Sequence, residues 1–142
     1  MTDARTRTPR PAADAASFLP LTPAVFHILL ALSDADRHGY AIAREVAAHT
    51  DDTVKLGPGT LYGTIGRLLE AGLIVETSGA GSVSRKTRDD ADERRRYYGL
   101  TSLGRAVARA ETRRLSLLLD VARGKALITP GRAVRRLGRG DE

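Results

Sequence analysis

The sequence lacks cysteine and tryptophan, and its only aromatic side chains are four tyrosines and two phenylalanines. Without cysteine, the 142-residue chain has no disulfide framework, thiolate metal site or cysteine nucleophile. Its longest apolar run, Ala24–Leu32, falls short of the ~18 residues of a membrane helix and is interrupted by His27. Hydrophobic residues make up 42% and charged residues 28%, as in an ordinary globular domain. This composition favours one small folded domain over a disordered, fibrous or membrane-spanning chain.

The N-terminal region does not have the pattern of a secretion signal. An apolar stretch, Phe18–Leu32, follows three arginines, but Pro20 and Pro23 interrupt it and it begins late for a signal peptide. We therefore expect the protein to remain in the cytoplasm.

Positive charge is concentrated in the C-terminal half of the chain. The net charge is +6, and residues 97–142 carry ten basic against four acidic side chains. Residues 23–76 carry four basic against seven acidic side chains and are net acidic. Most of the basic residues are arginine, whose planar guanidinium makes forked contacts with phosphate. Nucleic acid is therefore a candidate partner, although such charge also serves solubility.

Apolar periodicity and turn residues divide the chain into short elements. They predict helices over Pro23–Ser33, Tyr40–His49 and Pro58–Ala71 and, after a cap at Thr101 or Ser102, a last helix to about Arg123. They also predict strands over Leu73–Thr77 and Arg94–Thr101, with one further short strand over Val54–Leu56.

The order of these elements predicts a fold that is mainly α with a small β-hairpin. Three helices packed against a hairpin form a winged helix-turn-helix, and a long helix follows it. We expect residues 21–101 to form a DNA-binding domain of this type and residues 102–127 to form a dimerisation helix. The flanking residues 1–20 and 128–142 are predicted to be mobile tails, because residues 1–17 have almost no large apolar side chain and residues 129–142 are rich in glycine and arginine.

The third predicted helix has one apolar and one polar face. Leu61, Ile65, Leu68 and Leu69 share a stripe of about 100° that belongs to the core. The opposite face has two glycines, each of which costs roughly 1 kcal/mol of helix stability relative to alanine. We expect close contact with DNA to offset this cost. A merely solvated face is the alternative. The predicted DNA-contacting residues of this helix are Gly59, Thr60, Tyr62, Gly63, Thr64 and Arg67.

A basic run lies at the end of the hairpin loop. Cations there would neutralise backbone phosphates and give affinity without sequence information. Acidic residues within 89–93 would repel DNA, so the contacts should be local. A solvated loop is the alternative. The predicted phosphate contacts are Arg94, Arg95 and Arg96.

The last helix carries apolar residues on two sides. One stripe spans about 120°, and a second stripe lies beside it. One small domain does not have enough apolar surface to bury both sides of such a helix, so we expect a homodimer. The alternative is a wide packing face within one subunit. Arg114 lies inside the first stripe and should snorkel or pair with an acid such as Glu111 of the partner. The residues assigned to dimerisation are Leu103, Val107, Ala110, Arg114, Leu115, Leu117, Leu118 and Val121.

The sequence does not predict an enzyme, a metal site or a cofactor. His27, His38 and His49 recur at a spacing of 11 residues, which is not a close ligand pair, and no acidic residue completes a metal set. Gly57-Pro58-Gly59 is not followed by Gly-Lys-Ser/Thr, and Gly-x-Ser-x-Gly is absent.

Four stretches in this order and spacing resemble the PadR family of bacterial transcriptional regulators. They are LTPAVFHILLAL (21–32), HGYAIAREV (38–46), LGPGTLYGTIGRLLEAGLI (56–74) and ERRRYYGLTSLGR (93–105). The resemblance implies a dimer that binds operator DNA, usually as a repressor, through the helix with Thr60 and Tyr62 and a wing strand at Arg94–Tyr98. The single C-terminal dimerisation helix indicates the short form of the family, and we expect the protein to be associated with the nucleoid.

Two departures from the family pattern concern recognition. Gly63 stands where proline is frequent, and Gly57 stands where serine often caps the helix. Some relatives stack flat aromatic ligands on tryptophan, which this chain lacks, so that stacking site is not expected here, and the sequence leaves a small-molecule effector open. A winged-helix adaptor that binds protein without specific DNA recognition is the alternative function, because residues 23–76 are net acidic.

Overall fold

The structure, a computed structural model, describes residues 11–78 and 96–128. The predicted contacts Arg94 and Arg95, the hairpin loop before them, the first half of the predicted N-terminal tail and all but one residue of the predicted C-terminal tail lie outside these ranges. The chain divides into two compact units, Met1–Glu111 and Thr112–Glu142. The elements are α1 (Pro11–Ala16), α2 (Pro23–Ala31), β1 (Arg37–His38), α3 (Gly39–Ala48), α4 (Pro58–Ala71), β2 (Ile74–Thr77), β3 (Tyr97–Leu100) and α5 (Ser102–Gly124).

The predicted fold class is confirmed: the molecule is mainly helical, with a small antiparallel sheet. The helices α2, α3 and α4 bury their apolar faces together in one core. Burial of such side chains contributes roughly 1.5–3 kcal/mol each. The largest fully buried apolar side chains from these three helices are Ile28, Leu29, Ile42, Val46 and Ile65.

Local signals set the ends of these helices. Thr22 caps α2, since its Oγ1 accepts a hydrogen bond from the Val25 amide at 3.4 Å. Pro58 occupies the first turn of α4, where its missing amide costs nothing. Gly72 ends α4 in the left-handed conformation at φ 80°, which glycine adopts without steric penalty.

The sheet has the order β1-β3-β2, and its first strand is not the predicted one. Arg37–His38 pairs with Tyr97 and Tyr98, whereas Val54–Leu56 forms no strand. The Arg37 side chain fixes this edge, because its Nε donates to the Ala31 carbonyl at 2.8 Å and it pairs with Asp34 at 3.1 Å. Val54 and Leu56 instead pack on the core from an irregular loop.

The N-terminal segment also differs from the prediction. Within the predicted tail, residues 11–20 contain α1, and Ala15 is fully buried. Phe18 and Leu19 pack against the core. The small side chain of Ala15 fits within the core, and the two large apolar residues after it anchor the segment to the domain.

The first part of α5 belongs to the winged unit. Thr101 caps this helix as predicted, since its Oγ1 accepts the Gly104 amide at 2.9 Å. The same hydroxyl donates to the Gly72 carbonyl at 2.7 Å, and the Thr101 amide donates to the Leu73 carbonyl at 3.1 Å. These bonds tie the start of α5 to the end of α4.

The three histidines do not gather at one place. His38 caps α3, with its Nδ1 accepting the Ala41 amide at 3.2 Å. His27 and His49 lie with ring centroids 6.0 Å apart. Burial, and then the neighbouring His49, lower the pKa of His27.

Within residues 11–78 and 96–128, no three potential ligands group together around a metal site. Among the helices in those ranges, none has both the length and the apolar character needed to cross a membrane.

Candidate nucleic-acid interface

The helix α4 presents an outer face to solvent, opposite its buried apolar stripe. Leu61, Ile65 and Leu68 are almost completely buried, as predicted from their spacing. About 180° away the surface consists of small and polar residues, so that the backbone can come close to a flat or grooved partner. The exposed residues of this face are Gly59, Thr60, Tyr62, Gly63, Gly66, Arg67 and Glu70.

Thr64 does not belong to this face, and its assignment as a DNA contact is wrong. It is 1% exposed, because it lies between Leu61 and Leu68 on the buried side of the helix. On a helical wheel, the buried side of α4 therefore has its centre closer to Leu61 than the centre of the apolar residues alone. The Thr64 hydroxyl accepts a hydrogen bond from an Arg67 guanidinium nitrogen at 3.2 Å and so positions Arg67.

Tyr62 connects this outer face to the beginning of α3. It is 51% exposed, yet the end of its ring lies against Gly39. A Cβ at residue 39 would stand 2.7 Å from Tyr62 Cζ, so glycine is required for this contact. The Tyr62 ring is therefore held at one end while its remaining surface is open.

Two further exposed residues, Tyr40 and Arg44, lie next to this contact, and neither was predicted from the sequence. Tyr40 is 60% exposed. It lies about 200° from the buried Ile42 on a helical wheel, which is the signal that would have placed it outside. The Arg44 Cζ lies 5.5 Å from the Tyr40 ring centroid in a cation–π contact.

Arg96 is the one predicted wing cation within the described residues. Its side chain is largely exposed and forms an ion pair with Glu76 at 2.9 Å. Such a surface pair is weak and readily exchanged for another anion. Burial, followed by the negative charge of Glu76, raises the pKa of the neighbouring Tyr98.

The residues assigned to dimerisation separate into two groups. Val107 is fully buried in the single chain, so its assignment to a subunit interface is wrong. Leu103 and Ala110 are partly buried against the core of the winged unit, and their assignment stays a prediction. Helical spacing correctly identified an apolar stripe, but the chain's own domain covers the first half of it. Arg114 is half-buried. The exposed group, all on the distal half of α5, comprises Leu115, Leu117, Leu118 and Val121, together with Leu119.

The model of the transcriptional regulator PadR-like family matches residues 28–110 of the chain. A search of curated proteins returns no match.

Solved structures of transcriptional regulators share the fold. A regulator from Clostridium thermocellum is similar with a TM-score of 0.57 at 22% identity, over 79% of this chain and 93% of that one. A PadR family regulator from Clostridium difficile gives a TM-score of 0.56 at 22% identity, over 74% and 99%. Bordetella bronchiseptica BpsR, whose DNA binding is regulated by 6-hydroxynicotinic acid, gives 0.57 at 23% identity, over 90% and 85%. At these identities the likeness shows the fold alone, but the family match spans more than half of the sequence. The chain belongs to the PadR-like family of transcriptional regulators.

Proposed function

We propose that the protein is a sequence-specific repressor that binds a palindromic operator as a homodimer in the cytoplasm, associated with the nucleoid. The observation that carries this proposal is the outer face of α4. It combines close-approach glycines with an arginine whose direction is set by a buried hydroxyl. An arginine held in this way can make a forked contact with a guanine edge in the major groove.

The contacts divide by their role on DNA. Gly59 and Thr60 lie in the first turn of α4, where exposed amides and the hydroxyl can meet a phosphate. Gly63 and Arg67 follow on the same face and would enter the groove. Arg96, with the neighbouring Arg94 and Arg95, would bind backbone phosphates from the wing. Phosphate contacts fix the register of the helix, and base contacts give specificity.

The homodimer is proposed from the distal half of α5. Its exposed leucines and valine cover an arc of about 200°, which a single partner helix does not fill. We place part of this arc against the partner helix and the rest against the partner's winged domain. Two such subunits would present two α4 helices with two-fold symmetry, which is the symmetry of a palindromic site.

Footprinting of the full chain on a duplex enriched from a random-sequence library tests the proposal. We expect two protected half-sites whose centres are about 34 Å apart, roughly one turn of the duplex. Random duplex of equal length should bind far more weakly, with both affinities falling steeply as salt rises. Protection of one short half-site at saturation would contradict the dimer. Equal binding to every duplex would instead favour a protein-binding adaptor.

Substitution of the outer face should separate binding from folding. We expect Arg67→Ala and Tyr62→Ala each to weaken operator binding about tenfold, the scale of losing one base contact. Arg67 is exposed, so Arg67→Ala should change the free energy of unfolding, measured by thermal melts, by less than about 0.5 kcal/mol. Tyr62→Ala also loses the contact with Gly39 and should lower this free energy by a larger amount. Glu70→Ala, an exposed substitution at the end of the same helix, serves as the control and should not weaken binding. Parent-like binding by Arg67→Ala would show that the wrong face had been assigned.

A further inference from the structure

We propose that His27 and His49 form a binding site for one divalent metal ion of the Zn²⁺ class, between α2 and the end of α3. The inference goes beyond the proposed function, because neither residue belongs to α4 or to the wing and the site needs no DNA. The spacing of 11 residues along the chain gave no reason to expect a ligand pair, and the packing of α3 on α2 creates it.

The two imidazole rings lie at a separation that a shared metal ion requires. Their centroids are 6.0 Å apart, and their planes are tilted by 32°. With a metal–nitrogen bond of about 2 Å, two imidazoles on one ion have centroids about 5–6 Å apart. Aromatic pairs favour offset-stacked or edge-to-face geometry, and this pair adopts neither. A shared ligand therefore explains the approach of the two rings better than stacking does.

One ring nitrogen of this pair lacks a partner. The Nδ1 atom of His27 is buried, and within residues 11–78 and 96–128 it is the only buried side-chain nitrogen or oxygen without a hydrogen bond. Buried polar atoms are almost always satisfied, so an exception requires a reason, such as a bound ion. A neutral imidazole with its lone pair at Nδ1 is a ligand for Zn²⁺, and metal binding would satisfy this atom.

The two ligands are carried by elements whose separation the core fixes. Ile28, next to His27 on α2, is fully buried, and so is Val46 near the end of α3. His49 is the first residue after α3, and its amide donates to the Glu45 carbonyl at 3.0 Å. The His49 side chain is exposed and can turn toward an ion held by the half-buried His27. A fixed backbone with one adjustable side chain suits a metal site.

The surroundings of the pair favour a cation. Segment 23–76 is net acidic, and Asp51 and Asp52, which follow His49 closely in the chain, are both exposed. No third side chain of the described ranges completes a ligand set, so water would fill the tetrahedral shell that Zn²⁺ prefers. Imidazole nitrogen suits Zn²⁺, Ni²⁺ and Cu²⁺, whereas Mg²⁺ and Ca²⁺ prefer oxygen ligands.

The test titrates Zn²⁺ into the full chain, without a polyhistidine tag, and follows binding by calorimetry and the imidazole resonances by NMR. We expect one ion per chain. Of the three histidines, His27 and His49 should show shifted resonances, while those of His38, whose Nδ1 already accepts the Ala41 amide, should stay in place. The melting temperature should rise with Zn²⁺ concentration, because the ion binds the folded chain alone. Mg²⁺ at the same concentration should cause none of these changes.

Substitution of each ligand should weaken the site. We expect His49→Gln and His27→Gln each to weaken Zn²⁺ binding at least about tenfold, the lower end of what the loss of a supporting residue costs a metal site. His49 is exposed, so its variant should fold like the parent and keeps the test valid if His27→Gln is unstable. His38→Asn is the matched control. It removes the third histidine but keeps a side chain that can cap α3, and it should bind Zn²⁺ with parent affinity.

The outcomes separate the metal site from the proposed function. Parent affinity for Zn²⁺ in His49→Gln would overturn the site, and so would several weakly bound ions, an equal loss in His38→Asn, or no response to Zn²⁺ at all. None of these results bears on DNA binding. Conversely, a parent that prefers no duplex over another would refute the proposed function and leave the metal site standing.

Discussion

Replacement of both Leu117 and Leu118 by glutamate is expected to produce a folded monomer that binds operator about 10²-fold more weakly than the parent. The two leucines are 60% and 51% exposed in the single chain, so the winged unit does not depend on them. In a dimer they would be buried, and two carboxylates there would be desolvated without partners. The interface should therefore open.

The loss of affinity follows from the loss of the second reading head. Once one head of a dimer is bound, the other meets its half-site at a high effective concentration, which raises affinity by ~10² or more. A monomer keeps the contacts of one α4 helix alone. Sedimentation would measure the mass, and gel shift would measure the affinity.

A matched variant shows whether charge or position causes the effect. Thr112→Glu with Ser116→Glu adds two carboxylates to the same segment of α5, on the polar side of the helix. This variant should remain dimeric and lose at most a few-fold in affinity through added repulsion from DNA. A Leu117→Glu, Leu118→Glu protein that stays dimeric and binds operator normally would contradict the assignment of this surface. One that loses its helical circular dichroism would show that the leucines pack within one subunit.

The winged fold could be predicted because its signals are local. Pro58 and Gly72 bracket α4 in the sequence as they do in the structure, and the spacing of Leu61, Ile65 and Leu68 gives the buried side. The helix limits depend on caps and turns formed within a few residues. Such features can be read without knowing what packs against them.

The errors arise where tertiary contacts decide. The edge strand at Arg37–His38 depends on an arginine bonded to the end of α2, six residues away, which no periodicity reveals. Thr64 is buried although it is polar, because helix α4 faces the core slightly to one side of its apolar stripe. Val107 has the same chemistry as the exposed residues further along α5, and only the packing of the winged unit distinguishes them. Side-chain type shows what can be buried, and the surrounding elements determine what is buried.

Substitution of Gly104 by alanine is expected to destabilise the winged unit by about 3 kcal/mol and to lower its melting temperature by roughly 10 °C or more. A Cβ at this position would stand 2.9 Å from the carbonyl carbon of Leu73 and would overlap the carbonyl oxygen. Backbone cannot rotate away as a flexible side chain can. The first turn of α5 must therefore move, which strains the bonds from Thr101 to Gly72 and Leu73.

Gly66→Ala makes the same substitution at a position where no atom lies within 4 Å of the new Cβ. This helical glycine has open space around its Cβ position, so alanine should stabilise α4 by about 1 kcal/mol through backbone entropy. Thermal melts of the two variants should move in opposite directions, and a Gly104→Ala protein as stable as the parent would contradict the close approach of α5 to Leu73. Operator binding adds a second comparison. If α4 lies close against DNA, the added methyl group of Gly66→Ala should weaken operator binding although the protein itself is more stable. The loss of helix stability caused by Gly66 would then be offset only in the complex with DNA.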